Sequence, residues 1–186
     1  MSLLDKFRSL FGTPAPRAGS VSKPAPAPKV ASEAAAEERR KRVRHAARKG
    51  LKVLVIDDSV TVCAVMKKML RSAGFEVEQA LDAESGLALA QTLRPHLIFL
   101  DIVLPGMNGF SALRKLRRDP NLREVPVIMI SGNEMATEQF FAEAIGADDF
   151  MKKPFDRFEV FARIEGLLDD QDIPRRTTPL TVLAPL

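Results

Sequence analysis

Tryptophan and tyrosine are absent from this 186-residue chain, and cysteine occurs once, as Cys63. A single cysteine excludes an intramolecular disulfide framework and suits a reducing compartment. Histidine is nearly as scarce. His45 and His96 lie far apart with no cysteine cluster beside either, which excludes an ordinary zinc or haem site. No apolar run approaches the ~20 residues that span a bilayer. The opening segment, MSLLDKFRSLFG, carries charges inside its apolar part and lacks a small-residue cleavage site, so it does not read as a secretory signal. These absences predict a cytoplasmic chain that holds itself together by burial alone.

What is present suffices for that. The length fits one ordinary domain with extensions, or two small ones, and 46% of the residues are hydrophobic. The net charge of +4 hides an asymmetry: residues 1–51 hold 12 Lys and Arg against 4 Asp and Glu, whereas residues 52–186 hold 16 against 20. The basic surplus therefore belongs to the N-terminal extension.

That extension divides into three. In residues 1–12, Leu3, Leu4, Phe7, Leu10 and Phe11 fall on one helical face with Asp5, Lys6 and Arg8 opposite. So short a helix is marginal alone, which points residues 2–11 toward a protein partner or a membrane surface. Residues 13–31 are rich in proline and alanine and read as a semi-rigid linker. Residues 32–50 are good helix formers with Ser32 as cap and acids ahead of bases, but they carry no apolar stripe. The basic stretch 39–49 raises nucleic acid as a partner. Its lack of interleaved aromatic or base-reading residues, and its acidic neighbours, disfavour it.

From residue 51 to 170 the pattern changes to alternation. Strand-like runs KVLVID, FEVEQA, HLIFLD, VPVIMIS and DDFMKK are each followed by helical spacing, over about 59–73, 83–93, 108–118, 134–145 and 156–170. Five strand–helix pairs in this order predict a doubly wound α/β domain, a five-stranded parallel sheet with helices on both faces. In such a sheet the C-terminal strand ends form one rim, where ligands bind.

At that rim stand Asp57 and Asp58 after the first strand, Asp101 after the third, Ser131 after the fourth, and Lys153 with Pro154 after the fifth. Each has a bland reading: a helix cap, a loop acid, a turn serine, a loop Lys-Pro. Taken together they are chemistry. Three packed carboxylates repel unless a cation joins them, and a hard, oxygen-seeking Mg²⁺ suits the set. An ionised aspartate beside it can attack a phosphoryl group, with Lys153 neutralising and Ser131 hydrogen-bonding the phosphoryl oxygens. A hydrolase acting on a diffusible substrate is the rival class, distinguished by multiple turnover.

The motifs VLVIDDS, DIVLPGMNGF, VIMISG and GADDFMKKPF resemble those of the response-regulator receiver domains of bacterial two-component signalling. The resemblance implies a flavodoxin-like strand order of 2-1-3-4-5. It implies Asp101 as phosphoacceptor, with Asp58 binding Mg²⁺ directly and Asp57 through water. The backbone carbonyl of Val103 is a further implied ligand. Ser131 and Phe150 form the implied switch pair, standing where Thr and Tyr are common, and a cis Lys153–Pro154 bond goes with them. The implied phosphodonor is a sensor histidine kinase or chemosensory kinase. Output passes to a protein effector through the face formed by the fourth helix, fifth strand and fifth helix.

Residues 171–186 are too short for an effector domain, so output is expected through protein contacts, with this segment a flexible tail or docking peptide. The set IVLPGMNGF, VIMISGNE, ATEQFF and GADDFMKKPF is similar to stand-alone receivers of type IV pilus (twitching motility) chemosensory systems. Membrane or cell-pole association, or action on nucleic acid through the basic extension, is the alternative emphasis.

Overall fold

The computed structural model describes residues 46–132 and 145–176. The helix expected over 134–145 up to residue 144, the extension up to residue 45 and residues 177–186 lie outside them.

Five strands form one parallel sheet. They are β1 (Lys52–Ile56), β2 (Glu76–Ala80), β3 (Leu97–Asp101), β4 (Val127–Ser131) and β5 (Asp149–Lys152). Their order is β2-β1-β3-β4-β5, as the resemblance implies. The described helices are α1 (Val60–Arg71), α2 (Ala83–Leu93), α3 (Gly109–Arg118) and α4 (Arg157–Glu165). Each starts at a side-chain cap that accepts an amide of the first turn: Ser59 from Val62, Asp82 from Ser85, Asn108 from Ser111 and Asp156 from Glu159.

The central strands read as unbroken apolar runs because both faces are covered. Leu54, Ile56, Ile98, Leu100 and Met129 point to one side, under α2 and α3. Val53, Val55, Leu97, Phe99, Ile128 and Ile130 point to the other, where Cys63, Met66 and Leu70 of α1 meet Val160 and Ile164 of α4. Only edge strand β2 alternates, with Val77 buried between exposed Glu76 and Glu78.

Two boundaries differ from expectation. Helix α4 stops at Glu165, short of Asp170, because Gly166 caps it and Asp169 Oδ1 turns the chain by accepting the amides of Gln171 (2.8 Å) and Ile173 (3.0 Å). Residues 46–50 are not helical. Gly50, at φ +80°, turns the chain into β1. The packed chain also runs past Asp170: Leu168 and Pro174 form an antiparallel bridge, and the Arg48 amide donates to the Asp172 carbonyl at 3.0 Å.

Candidate functional site

Strand register assembles the rim. Ile56 of β1 pairs with Leu100 of β3, Asp101 with Ile130 of β4, and Ser131 with Lys152 of β5. Asp57, Asp101, Ser131 and Lys153 are therefore brought to one level although up to 96 positions separate them. The Lys153 amide donates to the Ser131 carbonyl at 2.7 Å, and the Lys153–Pro154 bond is cis.

Asp57 is fully buried, Asp101 is 3% exposed, and Asp58 faces solvent. Carboxylate oxygens of the three lie within 4.8 Å of one another. The Lys153 ammonium, Nζ, sits 2.6 Å from Asp101 Oδ2 and 2.7 Å from Asp57 Oδ2. One cation thus serves two buried anions. Burial pushes the Asp101 carboxyl above its ordinary range, repulsion from Asp57 adds to this, and Lys153 works the other way. For Lys153 burial opposes the charge, but the hydrogen bond to Asp101 and the paired charges of Asp101 and Asp57 outweigh it and raise its pKa.

The donor set fits a divalent cation. The contact of Lys153 with Asp57 Oδ2 is an ion pair without hydrogen-bond geometry, so that buried oxygen accepts no hydrogen bond. Asp57 Oδ1 is already taken by the Ser59 amide at 2.9 Å. A fully buried carboxylate oxygen lacking a donor is costly. A hard cation drawing on Asp57, Asp58 and Asp101 relieves that cost and the mutual repulsion together.

The β3–α3 loop is built around backbone contacts. The Val103 amide donates to Asp101 Oδ1 at 3.2 Å, while the Val103 side chain is 64% exposed. Gly109 donates to the Ile102 carbonyl at 2.9 Å, and a Cβ there would stand 2.1 Å from the Asp101 carbonyl oxygen. Only glycine lets α3 start this close to the strand end that presents Asp101. Of the expected switch pair, Ser131 is fully buried at the end of β4. Phe150 is half-buried on β5, paired with Met129 and packed on the α2/α3 side of the core.

Three contributors escape sequence reasoning. Gly109 lies inside a motif that reads as an ordinary turn. Cys63 donates through Sγ to the Asp57 carbonyl at 3.3 Å, and burial, with Asp57 adding, pushes its thiol up to about 11. Glu84 of α2 accepts the Met107 amide at 3.2 Å. An acid in a first helical turn carries no signal that it serves a neighbouring loop.

The family model described as response regulator receiver domain matches residues 53–165. The chain belongs to the response regulator receiver family. Receivers are signalling switches that are phosphorylated by histidine kinases, bind Mg²⁺ at an acidic pocket and act on effectors. Among curated relatives, the DNA-binding dual master transcriptional regulator RpaA of Synechocystis is 38% identical over 121 residues, covering 65% of this chain and 50% of RpaA. Response regulator PleD of Caulobacter vibrioides is 35% identical over 116 residues, or 26% of its length. The chain thus spans half or less of these two. Protein PilH of Pseudomonas aeruginosa is 33% identical over 117 residues, which cover 63% of this receiver chain and 97% of PilH. Among solved structures, chemotaxis protein CheY4 of Vibrio cholerae matches with a TM-score of 0.61 and 29% identity, over 64% of this chain and 99% of that one.

Proposed function

We propose that this receiver is a phosphorylation-activated switch in which Asp101 takes a phosphoryl group from a phosphohistidine of a sensor or chemosensory kinase. The observation that carries the reading is the acidic cluster itself, in which Asp101 is buried with the Lys153 ammonium 2.6 Å from its Oδ2. An Asp101 carboxylate oxygen attacks phosphorus, the phosphorus–nitrogen bond breaks, and the histidine leaves as a neutral ring. Lys153 moves its charge onto the phosphoryl oxygens, and Ser131 donates to one of them. Asp57, Asp58, Asp101 and the Val103 carbonyl would hold Mg²⁺, which supplies charge neutralisation for the transferring group. An apolar groove lined by Thr61, Val62, Val65, Pro154 and Phe155 opens beside Lys153. It gives a protein donor a surface that a small phosphodonor would not use.

Movement of Ser131 toward the phosphoryl group vacates space that the Phe150 ring can fill, and the change is read on the face that the helix expected over 134–145 would form with β5 and α4. PilH is matched over nearly its whole length and CheY4 over all but 1% of its own. That favours pilus-based or chemotactic motility as the process controlled. The extension, carrying the surplus charge, serves membrane, cell-pole or partner docking.

A small-molecule phosphodonor with Mg²⁺ should label the protein once, through an alkali-labile bond, and Asp101→Asn should abolish labelling. Retained labelling of that variant would remove Asp101 from the role. Repeated turnover of a diffusible substrate would favour the hydrolase class.

A further inference from the structure

Outside the acidic pocket, one carboxylate on a neighbouring helix reaches into the loop that follows Asp101. Glu84, in the first turn of α2, accepts the Met107 amide at Oε1 over 3.2 Å. The helix does not need this group as its cap, because Asp82 already accepts the Ser85 amide at 2.7 Å. The residue before Met107 is Gly106, at φ +71°, and a Cβ on it would stand 3.3 Å from the same Glu84 oxygen. The loop therefore makes its left-handed turn directly against the carboxylate. At its start the Ile102 amide donates to the Ile130 carbonyl of β4 at 2.9 Å, and the ties that follow are apolar or internal. Ile102 and Leu104 are buried, Met107 packs on the core beside α2, Val103 bonds Asp101, and Gly109 bonds Ile102.

We propose that Glu84 is a positioning residue of the metal and phosphoryl site, holding from α2 the loop that runs from Asp101 through Val103 to Gly109. The inference rests on the reading of Asp101 and the Val103 carbonyl given above. A loop free to pivot at Gly106 would spread the Val103 carbonyl over a wider range of positions, and Mg²⁺ demands near-ideal octahedral geometry. The bond from an amide to an ionised carboxylate is charge-assisted. Because Glu84 is exposed, its loss acts on the loop rather than on the core.

The test is calorimetric titration of Mg²⁺ into the full chain, with amide exchange at Met107 followed by NMR. Glu84→Ala should weaken Mg²⁺ binding about fivefold, the effect of losing one modest hydrogen bond. It should also speed exchange at Met107 and leave the metal-free unfolding midpoint unchanged. Glu84→Gln keeps an acceptor oxygen and should restore affinity and protection together. Gly106→Ala strains the same turn at φ +71° and crowds the same Glu84 oxygen, so its effect and that of Glu84→Ala should fail to add. Wild-type affinity in Glu84→Ala, additive losses in the double variant, or a fall in metal-free stability matching the loss of affinity would each overturn the proposal. Failure of the wild type to bind Mg²⁺ would instead overturn the reading of the acidic pocket, and the role of Glu84 with it.

Discussion

At the N-terminal end of the sheet, His96 joins β1 to β3 through both its backbone and its ring. Its amide donates to the Lys52 carbonyl at 2.8 Å, and its Nδ1 accepts the Lys52 amide at 3.1 Å. The ring must be neutral at Nδ1 to accept. Burial, then the charges of Lys52 and Arg175, hold its pKa below the ordinary 6.5, with Glu76 acting the other way. The unfolded chain therefore binds the proton first as pH falls. The stabilisation is complete above about pH 6.5 and is lost as pH drops through the lower folded value. Denaturant midpoints taken from about pH 8 down to about pH 5 should fall on the acid side. His96→Asn, which offers an acceptor oxygen that does not titrate, should flatten that fall. Parallel profiles for the two proteins would take His96 out of the acid response.

At the scale of elements, α3, β4, β5 and the C-terminal segment meet on one buried carboxylate. Asp148, with its side chain fully buried, receives Arg117 Nη2 and the Val127 amide on Oδ2, at 2.7 and 2.9 Å, and Arg176 Nε on Oδ1 at 3.0 Å. The guanidinium of Arg117 is otherwise spent on the carbonyls of Gly146, Arg123 and Val125. Burial lowers its pKa to about 10, and Asp148 counters this, so it stays charged at neutral pH. Removing one partner of a buried pair costs more than the pair contributes, because a desolvated charge is left behind. Arg117→Ala should accordingly destabilise by about 3–5 kcal/mol in chemical denaturation. Arg176→Ala should cost about 1.5–3 kcal/mol, since Arg117 still holds Asp148. Equal costs would mean that the two arginines are not ranked as primary and secondary partners.

For the whole molecule, these contacts predict unequal consequences of trimming the two ends. Among the described residues, no helix is long and apolar enough to cross a membrane. The composition of residues 1–30 supplies no core, so their deletion should leave melting and phosphoryl labelling nearly unchanged. Ending the chain at Asp170 should not be silent. It removes the bond from the Arg175 amide to the Leu167 carbonyl (2.7 Å), the Leu168–Pro174 bridge, the Arg48–Asp172 bond and the Arg176 contacts. On the order of 2–4 kcal/mol of stability should go with them. Equal melting of a chain ending at Asp170 and one ending at Arg176 would make the 171–176 segment dispensable.

Much of the fold is legible in the chain because it rests on local rules. Period-two and helical spacing, side-chain caps and unbroken apolar strands each leave a mark on neighbouring positions. The pocket is legible for a related reason: in a parallel sheet every C-terminal strand end lies on one rim, so strand order alone groups Asp57, Asp101, Ser131 and Lys153. What tertiary structure alone decided involves partners distant in sequence and chemically unremarkable. Lys153 spans two carboxylates, leaving Asp57 Oδ2 without a hydrogen bond, and no spacing encodes that. Gly109 is required by a carbonyl eight positions earlier. Glu84 serves a loop 23 positions away rather than its own helix. The packed chain runs past Asp170 as far as Arg176 because a buried carboxylate, itself placed by β4 and β5, captures an arginine from a stretch whose composition reads as tail. Local pattern determines which elements form. Which side chains meet depends on where the sheet's register and the helices' packing bring them.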